Sequence, residues 1–132
     1  IIYLMKFKSP IVKSKLSCEE IFNKISNLNN LKEILPKEIS EYNSTSDKCS
    51  FKIENLPKIN LKIKEKINFK KISLIAIDSQ VPFYMNCHFK EIDSVTNVFL
   101  EIDAEVNFMM KMVVEKPLLN LLEVLSSKIK DL

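Results

Sequence analysis

Phe83-Tyr84-Met85-Asn86-Cys87-His88-Phe89-Lys90 and, a few residues on, Val98-Phe99-Leu100-Glu101-Ile102-Asp103-Ala104-Glu105-Val106-Asn107 decide the fold. In both runs apolar and polar side chains alternate with period two, the mark of a strand with one face on a core. The spacer Asp93 to Asn97 is short and polar enough to be a hairpin turn, which predicts an antiparallel pair. Upstream, Phe51 and Ile53 alternate with Lys52 and Glu54, and Ile59, Leu61, Ile63, Ile67 and Phe69 alternate with Asn60, Lys62, Lys64, Lys66 and Asn68. The segment Ile72 to Asp78 is apolar at nearly every position and reads as a strand covered on both faces or facing a partner. With Asp78 to Pro82 as a further turn, the chain from Glu38 to Asn107 predicts an antiparallel meander.

The ends of the chain read differently. Lys6 to Lys15 is extended, and Pro10 within it places it at a sheet edge or a bulge. Ser17 with Glu20 forms a capping-box pattern before Ile21, Phe22 and Ile25, which predicts a short helix ending near Asn27. A second short helix buries Leu28, Leu31, Ile34 and Leu35 and stops at Pro36. After Asn107, a wide apolar face of Met109, Met112, Val113, Leu118, Leu121, Leu122, Leu125 and Ile129 predicts a long closing helix that Pro117 kinks or divides. The fold class is therefore α+β: a curved antiparallel sheet of about seven strands, order β-α-α-β6-α, wrapped around a C-terminal helix.

At 132 residues the chain is the length of one domain, read as residues 5–132, with 1–4 as a poorly ordered extension before the Met5-Lys6-Phe7 start. The apolar opening is interrupted by Lys6 and Lys8 before an export signal or membrane span develops, so no integral membrane association is expected. Cys18, Cys49 and Cys87 are odd in number and widely spaced. They indicate neither a disulfide framework nor a zinc site, and are read as reduced thiols of a cytoplasmic protein. Glycine, tryptophan and arginine are absent. Turns with positive φ must then use Asn or Asp, such as Asn55, Asp93 or Asn97, which tolerate that region less readily than glycine. The net charge of +3 is dispersed over lysines without interleaved aromatics, and no glycine-rich phosphate loop is available, so no nucleic-acid partner is expected.

The order of elements, together with Phe7-Lys8-Ser9, Ile25-Ser26-Asn27-Leu28-Asn29-Asn30-Leu31, Leu35-Pro36, Val81-Pro82-Phe83 and the run from Asn107-Phe108-Met109 to Val114-Glu115-Lys116-Pro117-Leu118, resembles the SRPBCC superfamily of helix-grip proteins. That superfamily includes START-like, polyketide cyclase-like and Bet v 1-like members, and the chain is most similar to a small bacterial branch common in Bacteroidetes. The resemblance implies an apolar small molecule (phospholipid, sterol, quinone or polyketide in various members) held between sheet and helix. By position it implies a lining of Phe83, Met85, Cys87, Leu100, Ile102, Ala104, Met109, Met112 and Val113.

Polar candidates are few. Strict alternation from Ile59 points Glu65 into the enclosed face, where a carboxylate would orient a ligand's polar end or handle a proton; a β-bulge would turn it to solvent instead. His88 falls on the polar face, opposite to Cys87, so the two do not form a dyad. The lysines at 62, 64 and 66 and the acids Glu101, Asp103 and Glu105 read as solvated sheet exterior. No catalytic residue, cofactor or metal is assigned. The leading reading is non-enzymatic binding of an apolar molecule. A cyclase or dehydratase using Glu65 or an inward Tyr84 is the second, and a ligand-free interaction module using Ile72 to Ile77 the third.

Overall fold

A computed structural model describes residues 1–53, 56–78 and 82–132. Asn55, residues 79–81 of the expected turn after Asp78, and Val81 of the Val81-Pro82-Phe83 pattern lie outside the described residues. The elements are β1 (Tyr3–Lys8), β2 (Val12–Ser14), α1 (Cys18–Ile25), a 3-10 helix (Leu28–Ile34), β3 (Ile39–Ser44), β4 (Lys48–Ile53), β5 (Ile59–Ile67), β6 (Lys71–Ala76), β7 (Phe83–Ile92), β8 (Val95–Val106) and α2 (Phe108–Lys130). They form one antiparallel sheet in the order β1-β8-β7-β6-β5-β4-β3, with β2 also on β8. This is an α+β helix-grip arrangement with α2 against the enclosed face.

The expected opening strand becomes two. Lys8 is opposite Glu101 and Val12 opposite Val98, so the three residues Ser9 to Ile11 face only Leu100 and Phe99. Pro10 sits in that bulge, where its missing N–H is tolerated. Ser9 repairs the ladder: its N–H donates to the Leu100 carbonyl and its Oγ accepts from the Leu100 N–H, both at 2.8 Å. β1 also begins earlier than the Lys6 start read from sequence, with Tyr3 opposite Val106.

The capping box forms, Ser17 Oγ accepting from Glu20 N–H and Glu20 Oε1 from Ser17 N–H. Phe22 of α1 then packs edge-on against Phe89 and Phe69, with ring centroids at 6.1 and 5.6 Å. The second helix is 3-10 rather than α, seven residues capped by Asn27 and ended before Pro36. α2 runs unbroken through Pro117 for 23 residues, so the proline does not divide it. Its ring removes the N–H that would bond the Val113 carbonyl.

The absence of glycine shows in five positive φ angles among the described residues, at Glu41, Phe69, Asp78, Asp93 and Ser94. The expectation that Asn or Asp fills such positions holds for Asp78 and Asp93 and fails at Glu41, Phe69 and Ser94. Asn97 instead lies inside β8, because the β7–β8 turn is only Asp93-Ser94, both left-handed as a two-residue type I′ hairpin requires. Phe69, a bulky residue at φ 63°, is held there by its ring contact with Phe22.

Two outcomes test this account. Ser9→Ala strands the buried Leu100 N–H and is expected to lower unfolding stability by roughly 1–3 kcal/mol, with faster hydrogen exchange at that amide. Ser94→Gly relieves a left-handed residue, partly offset by a freer unfolded chain, and is expected to raise stability by about 1 kcal/mol in denaturant titration.

Candidate functional site

The enclosed face of the sheet carries Cys49, Phe51, Leu61, Leu74, Met85, Cys87, Leu100 and Ile102, all buried. Packing against it is dense at the end covered by α1 and the 3-10 helix. Two small apolar voids remain there, about 60 and 40 Å³, the larger bounded by Met85, Cys87, Leu100, Leu125 and Ile129. At the other end, beneath the first turns of α2, lies an open cavity of about 200 Å³. Its floor is Phe83, Ala104, Val114 and Leu118, all buried, and Met110 and Ile59 form its walls. Leu56, Pro57, Lys58 and Asp78 stand at its mouth. A groove of about 480 Å³ along Leu4, Lys6, Pro82, Tyr84, Asp103 and Glu105 is larger but lies away from α2, on the outside of the sheet.

The sequence-derived lining divides into four. Phe83 and Ala104 line the open cavity, while Met85, Cys87 and Leu100 border the inner void and Ile102 is fully buried without lining either. Met109, Met112 and Val113 face solvent, with 77, 70 and 56% of their surface exposed, which corrects their placement. The reason is helical phase: the inward positions of α2 are 110, 114, 118, 121, 122, 125, 126 and 129. Counting back by fours from Leu118 reaches Val114 and Met110, a signal present in the sequence. Lys58 and Asp78, by contrast, come from loops that carry no periodicity.

Glu65 is also re-aimed. Ile63 faces Leu74 and Glu65 faces Ser73, so Lys64 is an extra residue and the strand bulges there. Glu65 and Ile67 thereby turn outward and are exposed, correcting the inward placement that strict alternation gives. Tyr84 likewise lies outside, its ring under the Lys64 ammonium at 4.6 Å. Ile72 to Ile77 is no exposed partner surface, because Ile72 and Leu74 are buried and Ile75 and Ile77 half-buried.

The outer face of β6, β7 and β8 is more ordered than a solvated exterior. Ser73 donates to Asn86 at 2.7 Å, and His88 Nε2 meets Glu101 Oε1 at 2.7 Å while its ring stacks on Phe99 at 4.5 Å. Partial burial pushes the Glu101 carboxyl up, but the His88 hydrogen bond and charge, with Lys6 and Lys8, bring it below the ordinary glutamate value. Cys87 points to the opposite face, where burial pushes its thiol up, as it does Cys49 to about 11. Neither is a thiolate nucleophile at neutral pH. Among the described residues no three His, Cys, Asp or Glu side chains gather as a metal site.

No family model and no curated protein matches the chain by sequence. Solved structures do match in shape. The KanY protein superposes with a TM-score of 0.74 at 12% identity, over 98% of this chain and 97% of that one. The protein TTHA0849 from Thermus thermophilus gives 0.71 at 12% identity, covering 96% and 95%. A norcoclaurine synthase point mutant from Thalictrum, in complex with a transition-state analogue, gives 0.69 at 12% identity, covering 99% and 93%. A sheet of this order gripping a C-terminal helix is shared over nearly the full length with these proteins, and the likeness shows that the chain has the helix-grip fold.

Proposed function

We propose that the protein binds and carries a small amphiphile, with its apolar part in the cavity under α2 and its polar end at the Lys58–Asp78 mouth. The observation that carries this reading is the composition of the cavity: an aliphatic and aromatic floor with its titratable groups confined to the rim. Ligand sites are mostly apolar with a few placed polar groups, which matches this division. At about 200 Å³ the space is smaller than the roughly 300–1,000 Å³ of drug-sized pockets, so it suits a single ring or a short acyl segment. Among the described residues neither Lys58 nor Asp78 forms an ion pair.

Binding without chemistry is favoured over the cyclase or dehydratase reading because, among the described residues, the lining includes no histidine, cysteine or hydroxyl, and both Glu65 and Tyr84 lie outside. The complex of norcoclaurine synthase with its analogue supports a ligand-holding use of this fold, in that protein. Three unpaired cysteines fit a reducing compartment such as the cytoplasm.

Filling the cavity tests the reading. Ala104→Phe projects a ring from β8 into the space, and is expected to weaken binding of the fluorescent probe N-phenyl-1-naphthylamine at least tenfold. Its thermal midpoint should stay within a few degrees of the unmodified protein; unchanged probe affinity in such a folded variant would sink the assignment. For the mouth, Lys58→Glu is expected to weaken a short fatty carboxylate several-fold relative to the matching amine, and Asp78→Lys to do the reverse, measured by probe displacement.

A further inference from the structure

The first two turns of α2 have an inner side that the cavity uses and an outer side that nothing uses. Phe108, Met109, Met112 and Val113 are 59, 77, 70 and 56% exposed. At spacings of one and four they form a single strip along the helix. From residue 108 to 114 the only charge is Lys111, so this segment is apolar all round, a pattern that belongs to a helix buried on every side. The sheet covers one side alone, through Met110 and Val114. Further along, the outer face turns polar at Lys116, Asn120, Glu123 and Ser127.

We propose that this strip docks onto the surface of a zwitterionic lipid bilayer, with the cavity on the other side of the same two helical turns. Three observations select a lipid surface over a protein. The strip is only about 9 Å long, two helical turns, and one or two side chains wide. A stable dimer buries about 800 Å² per partner, more than such a strip offers to a second copy. Protein interfaces also carry about one hydrogen bond per 100–200 Å², whereas these four side chains hold no strong donor or acceptor. Finally, the charges around strip and mouth nearly cancel, Lys111 and Lys116 with Glu115, and Lys58 with Asp78, which fits a headgroup layer of zero net charge.

No described helix is long and apolar enough to cross a membrane, so the association is peripheral, with flexible thioethers and the Phe108 ring entering the acyl boundary. Lys111 and Lys116 extend their ammonium groups back to the headgroups. Met110 and Val114 lie on the same two turns, so docking by the outer side bears on the segment that lines the cavity from within. The docking deepens the carrier reading and rests on it for its purpose, but it is measured independently.

The test is sedimentation of the purified protein with phosphatidylcholine vesicles at 50 and 500 mM salt, beside the double variant Met109→Glu/Met112→Glu. Both substitutions are at exposed positions outside the cavity, so the variant should keep the thermal midpoint and its affinity for N-phenyl-1-naphthylamine in vesicle-free buffer. The proposal expects the unmodified protein to pellet equally at both salt concentrations and the variant's partitioning to fall at least tenfold. It is overturned if the unmodified protein stays in the supernatant, if the folded variant pellets as well, or if binding disappears at high salt. A dimer by light scattering that the variant splits into monomers would also overturn it, assigning the strip to a second copy. Vesicle binding without probe binding would uphold the docking and count against the carrier reading alone.

Discussion

β8 must satisfy hydrogen-bonding neighbours along both edges while burying alternate side chains under a helix, and this double demand organises the molecule. Its twelve residues pair with β7 over ten positions on one edge and with β1 and then β2 on the other. Thr96, Val98, Leu100, Ile102, Ala104 and Val106 all point inward and are buried. A slip of one residue would turn this whole set outward, so the register is fixed by burial as well as by the tight turn. Where the opening segment cannot follow that register, at Pro10, the Ser9 side chain supplies the missing acceptor rather than β8 giving way.

The cavity follows from how unevenly the enclosed face is filled. At one end α1, the 3-10 helix and the second half of α2 bring Phe22, Leu28, Ile34, Leu122 and Ile129 onto the sheet, leaving only small voids. At the other end β8 offers Ala104, the smallest of its inward side chains, and the first turns of α2 form the roof. Voids in a protein interior forfeit dispersion contacts, so an opening kept there weakens the fold locally in exchange for space. Function at this end and stability at the other divide the same sheet between them.

Strong periodicity was legible and weak periodicity was not. The β7–β8 hairpin, the capping box at Ser17 and Glu20, and the inward stripe of α2 from Leu118 onward all follow from spacing alone. The bulge at Lys64 was readable as one of two alternatives, since a carboxylate in an apolar row signals either a buried group or a change of phase. The phase at the start of α2 was legible only by counting back from Leu118, because Phe108 to Val114 is apolar at all but one position and does not fix its own rotation. The 3-10 geometry of Leu28–Ile34 shares its buried spacing with an α-helix, and the mouth residues Lys58 and Asp78 are brought to α2 by loops. Whether an apolar face is packed or hollow depends on the volume between elements, a quantity that alternation does not encode.

The chain builds an eight-stranded sheet without one glycine, placing five of the described residues in left-handed conformations. Each such residue costs roughly 1–2 kcal/mol in the folded state, a burden most proteins relieve at their turns. The same absence acts on the other side of the equilibrium. A backbone with a Cβ at every position has fewer conformations to surrender when it folds, so the unfolded ensemble is itself restricted. The strain at the turns is thus set against a smaller entropic penalty spread over the whole chain, and replacing residues by glycine away from those five positions would loosen the unfolded state without easing the folded one.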